Sequence, residues 1–210
     1  MKINRCKKKL ENIPVIIASN GKTIQDVELG LFSNFFIIGI DDIFFQYPDC
    51  DILILKDVDF IKKHSNIIKN LRCLKCCPNH RQEDLNCFNL HLVESKKHKK
   101  RYDFNFYDNE CVQDVAIQLA SFLGCNPIIV AGFDSKDPVK LRRKKKIKNS
   151  LFNVMNDNCD KCMKNHSKWL KNIIYSITPS GHIPYIDPFV AHSKYNDQCP
   201  DKLDLLKRIV

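Results

Sequence analysis

Apolar residues along this chain fall in short unbroken blocks, separated by polar turn residues at fairly regular intervals. Ile13-Pro-Val-Ile-Ile-Ala-Ser19 runs into Asn20-Gly21, which predicts a buried strand and then a tight turn. Phe35–Ile40, Asp51–Leu55 and Pro127–Gly132 read the same way, and Asn172–Ile177 is a fifth block that ends in Thr-Pro-Ser-Gly181. Continuous apolar runs of this length suit strands covered on both faces, as in a parallel sheet. Between them the period becomes helical. Val112, Val115, Ala116, Leu119 and Leu123 line one face of a helix over 109–123 that Gly124 stops. Val58, Ile61, Ile67, Ile68 and Leu71 line another over 57–71. Weaker patterns predict a short helix from Thr23 through Leu31, one over 151–170 and an amphipathic one over 201–209.

Strands alternating with helices at this spacing imply an α/β fold, a Rossmann-like and mostly parallel sheet with helices on both faces. The chain reads as a single domain over residues 1–210. The stretch 72–108 has no firm period and is expected to be an irregular Cys- and Lys-rich insertion or mobile loop. Ligands of such sheets sit beyond the carboxyl ends of the strands. That rule points to four loops: 19–22, 41–42, 133–137 and 178–183.

Composition agrees with a globular domain. In 210 residues, 44% are hydrophobic and 28% charged, so a core can form and wholesale disorder is excluded. There is no heptad seam, collagen repeat or solenoid period. No apolar run reaches the roughly 18 to 20 residues of a membrane span, and the first residues lack an apolar signal segment. The expectation is a cytoplasmic protein without a transmembrane segment. The formal net charge is +10, and two short runs more than account for it. One is Lys96, Lys97, Lys99, Lys100 and Arg101. The other is Lys140, Arg142, Arg143, Lys144, Lys145, Lys146 and Lys148. Such runs are either solvated loops or a grip on a polyanion, such as nucleic acid or an anionic glycan or membrane surface.

The 11 cysteines are odd in number, which argues against a disulfide framework and for free thiols with a structural zinc as one option. Cys73, Cys76, Cys77 and His80 form one cluster; Cys159, Cys162 and His166 form a second. Cys73, Cys76, Cys159 and Cys162 could complete one tetrahedral zinc site if the fold brought the two clusters together. Otherwise they are reduced, half-buried thiols. Gly21-Lys22-Thr23 is not a phosphate-binding P-loop, because that motif needs glycine where Ile16 stands. Ser19-Asn20-Gly21 still leads from a strand into a helix start, where backbone N–H groups favour a phosphate. Asp134 and Asp137 could hold magnesium on a pyrophosphate, or Asp134 could simply cap its strand.

Several of these segments, in order, resemble a known group. Ala18-Ser-Asn-Gly-Lys-Thr-Ile-Gln-Asp-Val27 is similar to the Gly-Asn-Gly-Pro-Ser-Leu opening of bacterial sialyltransferases of the Campylobacter type, and equally to the MptE-like 6-hydroxymethylpterin diphosphokinases. Phe36–Phe44 resembles their strand with a nucleotide-contacting Asn, here Asp41 or Asp42. Val115–Asp134 looks like their Ala- and Leu-rich helix with the strand that follows, and Ile173–Ser180 like their late strand and Ser/Thr-Pro turn.

The resemblance covers about half the chain and implies transfer of a group from a nucleotide-activated donor on a Rossmann-like sheet. It implies that Ser19, Asn20 and Gly21 cradle donor phosphate or ribose, that Asp41 or Asp42 faces the base, and that Gly132, Asp134, Thr178 and Ser180 complete the nucleotide site. His166, followed by Ser167, matches the family's general base, a role that a neutral imidazole suits. His182 is a second base candidate from its place in the Ser-Gly-His turn. Arg142, Arg143, Lys144, Lys145 and Lys146 are candidates to hold an anionic acceptor, either a hydroxylated base in nucleic acid or a glycan. Three functions stay open: a glycosyltransferase, an ATP-dependent diphosphokinase with magnesium, and a zinc-stabilised nucleic-acid-binding protein on an inactive transferase fold.

Overall fold

The computed structural model describes residues 3–78, 85, 87–90, 92–94, 106–108, 111–133, 173–178 and 183–209. In chain order the strands are β1 (Val15–Ala18), β2 (Phe36–Ile40), β3 (Ile52–Ile54), β4 (Leu74–Pro78), β5 (Phe88–Leu90), β6 (Leu92–Glu94), β7 (Phe106–Asp108), β8 (Ile128–Ala131) and β9 (Ile174–Ser176). The α-helices are α1 (Val58–Asn70), α2 (Val112–Leu123), α3 (Pro188–Tyr195) and α4 (Lys202–Ile209). Seven strands form one sheet in the order β5-β4-β3-β2-β1-β8-β9, and every pair in it is parallel. β6 and β7 form a separate parallel pair.

β1 is the hub. Val15 stands opposite Phe36 on one side and Ile128 on the other. Every residue of β1, β2 and β8 is buried, which is why these three read as uninterrupted apolar blocks. Their pleat sends Val15 and Ile17 into one apolar layer and Ile16 and Ala18 into the other. α2 covers the first layer with Val115, Ala116, Leu119 and Leu123, joined there by Leu205 and Ile209 of α4. α1 covers the second with Ile61 and Ile68, joined by Ala191 and Tyr195 of α3. The result is an α/β sandwich with helices on both faces.

The helix ends follow their residue chemistry. Asp57 caps α1 by accepting from the N–H groups of Asp59 and Phe60 at 2.9 and 3.0 Å. Asp187 caps α3 in the same way, with Pro188 at the first helical position. α2 stops at Gly124, whose φ of +89° is left-handed; a Cβ there would meet the Glu11 backbone at 3.0 Å.

Two expectations changed. Thr23–Leu31 forms no α-helix; it holds two short 3₁₀ turns, Lys22–Asp26 and Leu29–Phe32, separated by extended Val27. Their buried anchors Ile24, Leu29 and Phe32 decide this shape over local propensity. The stretch expected to be irregular supplies β4 and β5, which extend the main sheet. Cys76 and Cys77 act there as small buried apolar residues on opposite faces of β4. The helix expected over 151–170 lies outside the described residues.

The amino-terminal edge of the sheet is tied by Asp51. Its carboxylate accepts the Ile37 N–H at 2.7 Å and pairs with Lys202 Nζ of α4 at 3.1 Å, while the Asp51 backbone bonds Ile37 and Leu74. Asp51→Ala orphans the buried Ile37 N–H and releases α4, so it should lower the unfolding free energy by about 2 kcal/mol. Lys202→Met removes only the ion pair and should cost less. Urea titrations of the two variants check this ordering.

Candidate functional site at the carboxyl ends of the strands

The sheet order reverses at β1: the chain runs outward through β2 to β5 on one side and resumes with β8 and β9 on the other. In sheets of this kind ligands bind at such a switch point, beyond the carboxyl ends of the strands, here β1 and β8. Ser19, Asn20 and Gly21 follow β1, Asp41 and Asp42 follow β2, Gly132 follows β8, and Thr178 follows β9. The parallel register therefore brings together the described members of the predicted nucleotide site.

Gly132 is the tightest point of this edge. Its φ is +70°, and a Cβ would lie 2.0 Å from the Ser19 carbonyl oxygen and 3.1 Å from Ile24 Cβ. Only glycine lets the β8 chain turn here so close to the end of β1. The Ser19 N–H extends the ladder by donating to Ala131 at 3.0 Å. The Gly132 N–H donates to Thr178 Oγ1, also at 3.0 Å, and Thr178 is almost fully buried. Ser176 Oγ in turn donates to the Thr178 carbonyl at 2.6 Å. The ends of β1, β8 and β9 are thus locked to one another.

On the other side of β1, Asn20 Nδ2 donates to Asp42 Oδ2 at 2.8 Å, and Asn20 Oδ1 accepts from Gln46 Nε2. The exposed Asn20 amide is held at both ends, so its orientation is set before any ligand arrives. Gln46 lies four residues beyond Asp42, at the end of the single turn Asp41–Phe45. Sequence reasoning missed it, although the four-residue spacing from Asp42 at a strand end was a usable signal. Around this turn the rings of Phe44, Phe45, Phe60 and His64 cluster, with Phe45 more than half exposed.

Asp41 and Asp42 part company. Asp41 sits at φ +46°, a region that Asp tolerates better than most residues. Its Oδ1 accepts the Lys56 N–H at 3.1 Å, bracing the end of β2 against the end of β3. Burial raises its carboxyl to about 6; the Lys56 N–H opposes the shift, and Asp42 and Asp57 add to it. Asp42 is the one of the two that engages Asn20.

His166, Asp134, Ser180, Arg142, Arg143, Lys144, Lys145, Lys146, Cys159 and Cys162 lie outside the described residues. Of the proposed zinc ligands, Cys73 and Cys76 are described and belong to different apolar layers. Cys76 is buried in the α2 layer, Cys73 in the α1 layer, where it shares a hydrogen bond with Cys50. The other two proposed ligands lie outside the described residues, and no group of three metal-ligating side chains occurs among the described ones. Cys111 is disulfide-bonded, against the expectation of free thiols.

The chain is similar in structure to the sialyltransferase CstII from Campylobacter jejuni, solved in complex with a substrate analogue, CMP-3FNeuAc. The TM-score is 0.50, covering 84% of this chain and 86% of that one, at 16% sequence identity. The fold is sialyltransferase-like. No protein-family model matches the sequence, and no curated protein does. No helix among the described residues is long and apolar enough to cross a membrane.

Two outcomes follow from this geometry. Gly132→Ala forces a side chain into the Ser19 carbonyl at a left-handed backbone, so it should cost about 3 kcal/mol or more of stability, read by denaturant unfolding. Asp41 has a folded-state value above that of an unfolded carboxyl, so its ionised form is penalised by folding and the penalty grows as pH rises through about 6. Lowering the pH from 7 to 5 should therefore return on the order of 1 kcal/mol at this group. Asp41→Asn keeps the Lys56 contact and should abolish that part of the pH dependence.

Proposed function

We propose that the protein is a glycosyltransferase that uses a nucleotide-activated sugar and delivers it to a hydroxyl of an anionic acceptor. The observation that carries this reading is the meeting of Ser19–Gly21, Asp42, Gly132 and Thr178 at the switch point of a sialyltransferase-like fold. The motif order in the sequence supports it independently of the fold.

In this reading the donor phosphate lies against the backbone of Ser19, Asn20 and Gly21. The close approach of Gly132 leaves a side-chain-free surface there. Asp42, held by Asn20, faces the base or ribose, with Ser180 and Asp134 completing the nucleotide site. Asp41 acts as a brace and does not touch the donor. His166 takes the proton of the acceptor hydroxyl as that oxygen bonds to the anomeric carbon and the nucleotide departs with the electrons of the broken C–O bond. Positioning and backbone N–H stabilisation of the leaving phosphate supply most of the rate. Arg142, Arg143, Lys144, Lys145 and Lys146 hold the acceptor by charge, whether a nucleic acid or a glycan.

The test is a thermal-shift panel of CMP, UMP, UDP, GDP, ADP and ATP, each with and without magnesium. A nucleotide at 100 times its Kd should stabilise the fold by roughly 2.7 kcal/mol, several degrees for a domain of this size. Thr178→Val, which frees the Gly132 N–H, should shrink that shift, whereas His166→Ala should preserve it and abolish transfer. A response confined to ATP with magnesium would favour diphosphate transfer. No response from any nucleotide would overturn the transferase reading and favour nucleic-acid binding on an inactive fold.

A further inference from the structure

We propose that Cys77 and Cys87 are a reversible dithiol–disulfide pair that fastens the edge strand β5 to β4. Their sulfurs lie 2.9 Å apart, about 1 Å beyond a bonded pair. The register explains the proximity. Cys76 stands opposite Phe88 and Cys77 opposite Asn89, so Cys87, one residue before β5, lies diagonally across from Cys77. Both sulfurs belong to the apolar layer under α1. Cys76 faces the opposite layer, and Cys73 is engaged by Cys50, so Cys87 is the thiol placed to reach Cys77.

The two thiols differ in the way a two-step exchange requires. Cys77 is fully buried, whereas Cys87 is partly exposed. Cys87 is therefore the sulfur that a dissolved oxidant reaches first, and Cys77 the one placed to resolve the mixed disulfide. With a small-molecule disulfide as oxidant, the Cys87 thiolate attacks one of its sulfurs and expels the first thiolate. Cys77 then loses its proton to that thiolate and attacks the Cys87 sulfur, which releases the second. The protein gives up two protons and two electrons, and with them the small disulfide becomes two thiols.

The experiment equilibrates the full chain with oxidised and reduced glutathione at several ratios, quenches with an alkylating agent and maps peptides without reduction. A crosslinked Cys77–Cys87 peptide should appear at the oxidising end and vanish with dithiothreitol, and the oxidised protein should melt several degrees higher. Cys77→Ser should instead accumulate glutathione on Cys87, and Cys87→Ser should leave Cys77 unmodified. Recovery of both cysteines as alkylated thiols at the oxidising end would overturn the proposal, as would a bridge from either one to a different cysteine. The readout is independent of nucleotide binding, so it stands or falls apart from the transferase reading.

Discussion

The approach of the Gly132 backbone to the Ser19 carbonyl is the constraint on which the rest of this edge depends. β1 and β8 are neighbours in the sheet but more than a hundred residues apart in the chain, and their ladder runs one bond past the end of β1, from Ser19 to Ala131. Beyond that bond the two chains must separate within one residue. A left-handed glycine does this without strain. Because Gly132 donates to Thr178, the same turn fixes the end of β9, so three strand ends share one geometry. The meeting of these strand ends follows from the topology, and its tightness follows from one missing Cβ.

The other half of the rim is built from side chains. Asp41 and Asp42 are adjacent, yet the left-handed backbone of the first turns it inward to Lys56, while the second meets Asn20. One carboxylate is spent on architecture and stays desolvated. Its neighbour bonds the side chain of Asn20 at the end of β1. Two acids that look equivalent in sequence thus separate into a brace and a partner of Asn20, and the pair is distinguished by backbone conformation more than by side-chain chemistry.

Five strands were legible in the sequence, β1, β2, β3, β8 and β9, and four of them are buried throughout, because covering both faces leaves no polar position to interrupt the run. β1, β2 and β8 are such strands, and their loops could be located from the carboxyl-end rule alone. β4 and β5 were not legible. Leu74-Lys-Cys-Cys-Pro78 hides its apolar character in cysteines, which also read as metal ligands, and Phe88–Leu90 is a three-residue edge. At the site, the identities of Asn20, Asp42, Gly132 and Thr178 came from motif and position. The contacts between Asn20, Asp42 and Gln46 did not, since they depend on a short turn whose path the apolar pattern does not specify.

Near the first and last described residues, the Cys6 thiol donates to the carbonyl of Ile209 at 3.2 Å. The residues after Cys6 run along the end of α2, where Lys8 and Leu10 donate to Phe122 and Leu123. α2 ends next to the start of β8, so Cys6 and Ile209 lie on the side of the sheet away from Ser19 and Gly132. Immobilisation through a group placed beside Cys6 or Ile209 directs the carboxyl ends of the strands away from the bead or sensor surface. For the same reason, a short peptide joining Ile209 to Cys6 makes a circular permutant geometrically feasible, with new ends cut elsewhere in the chain.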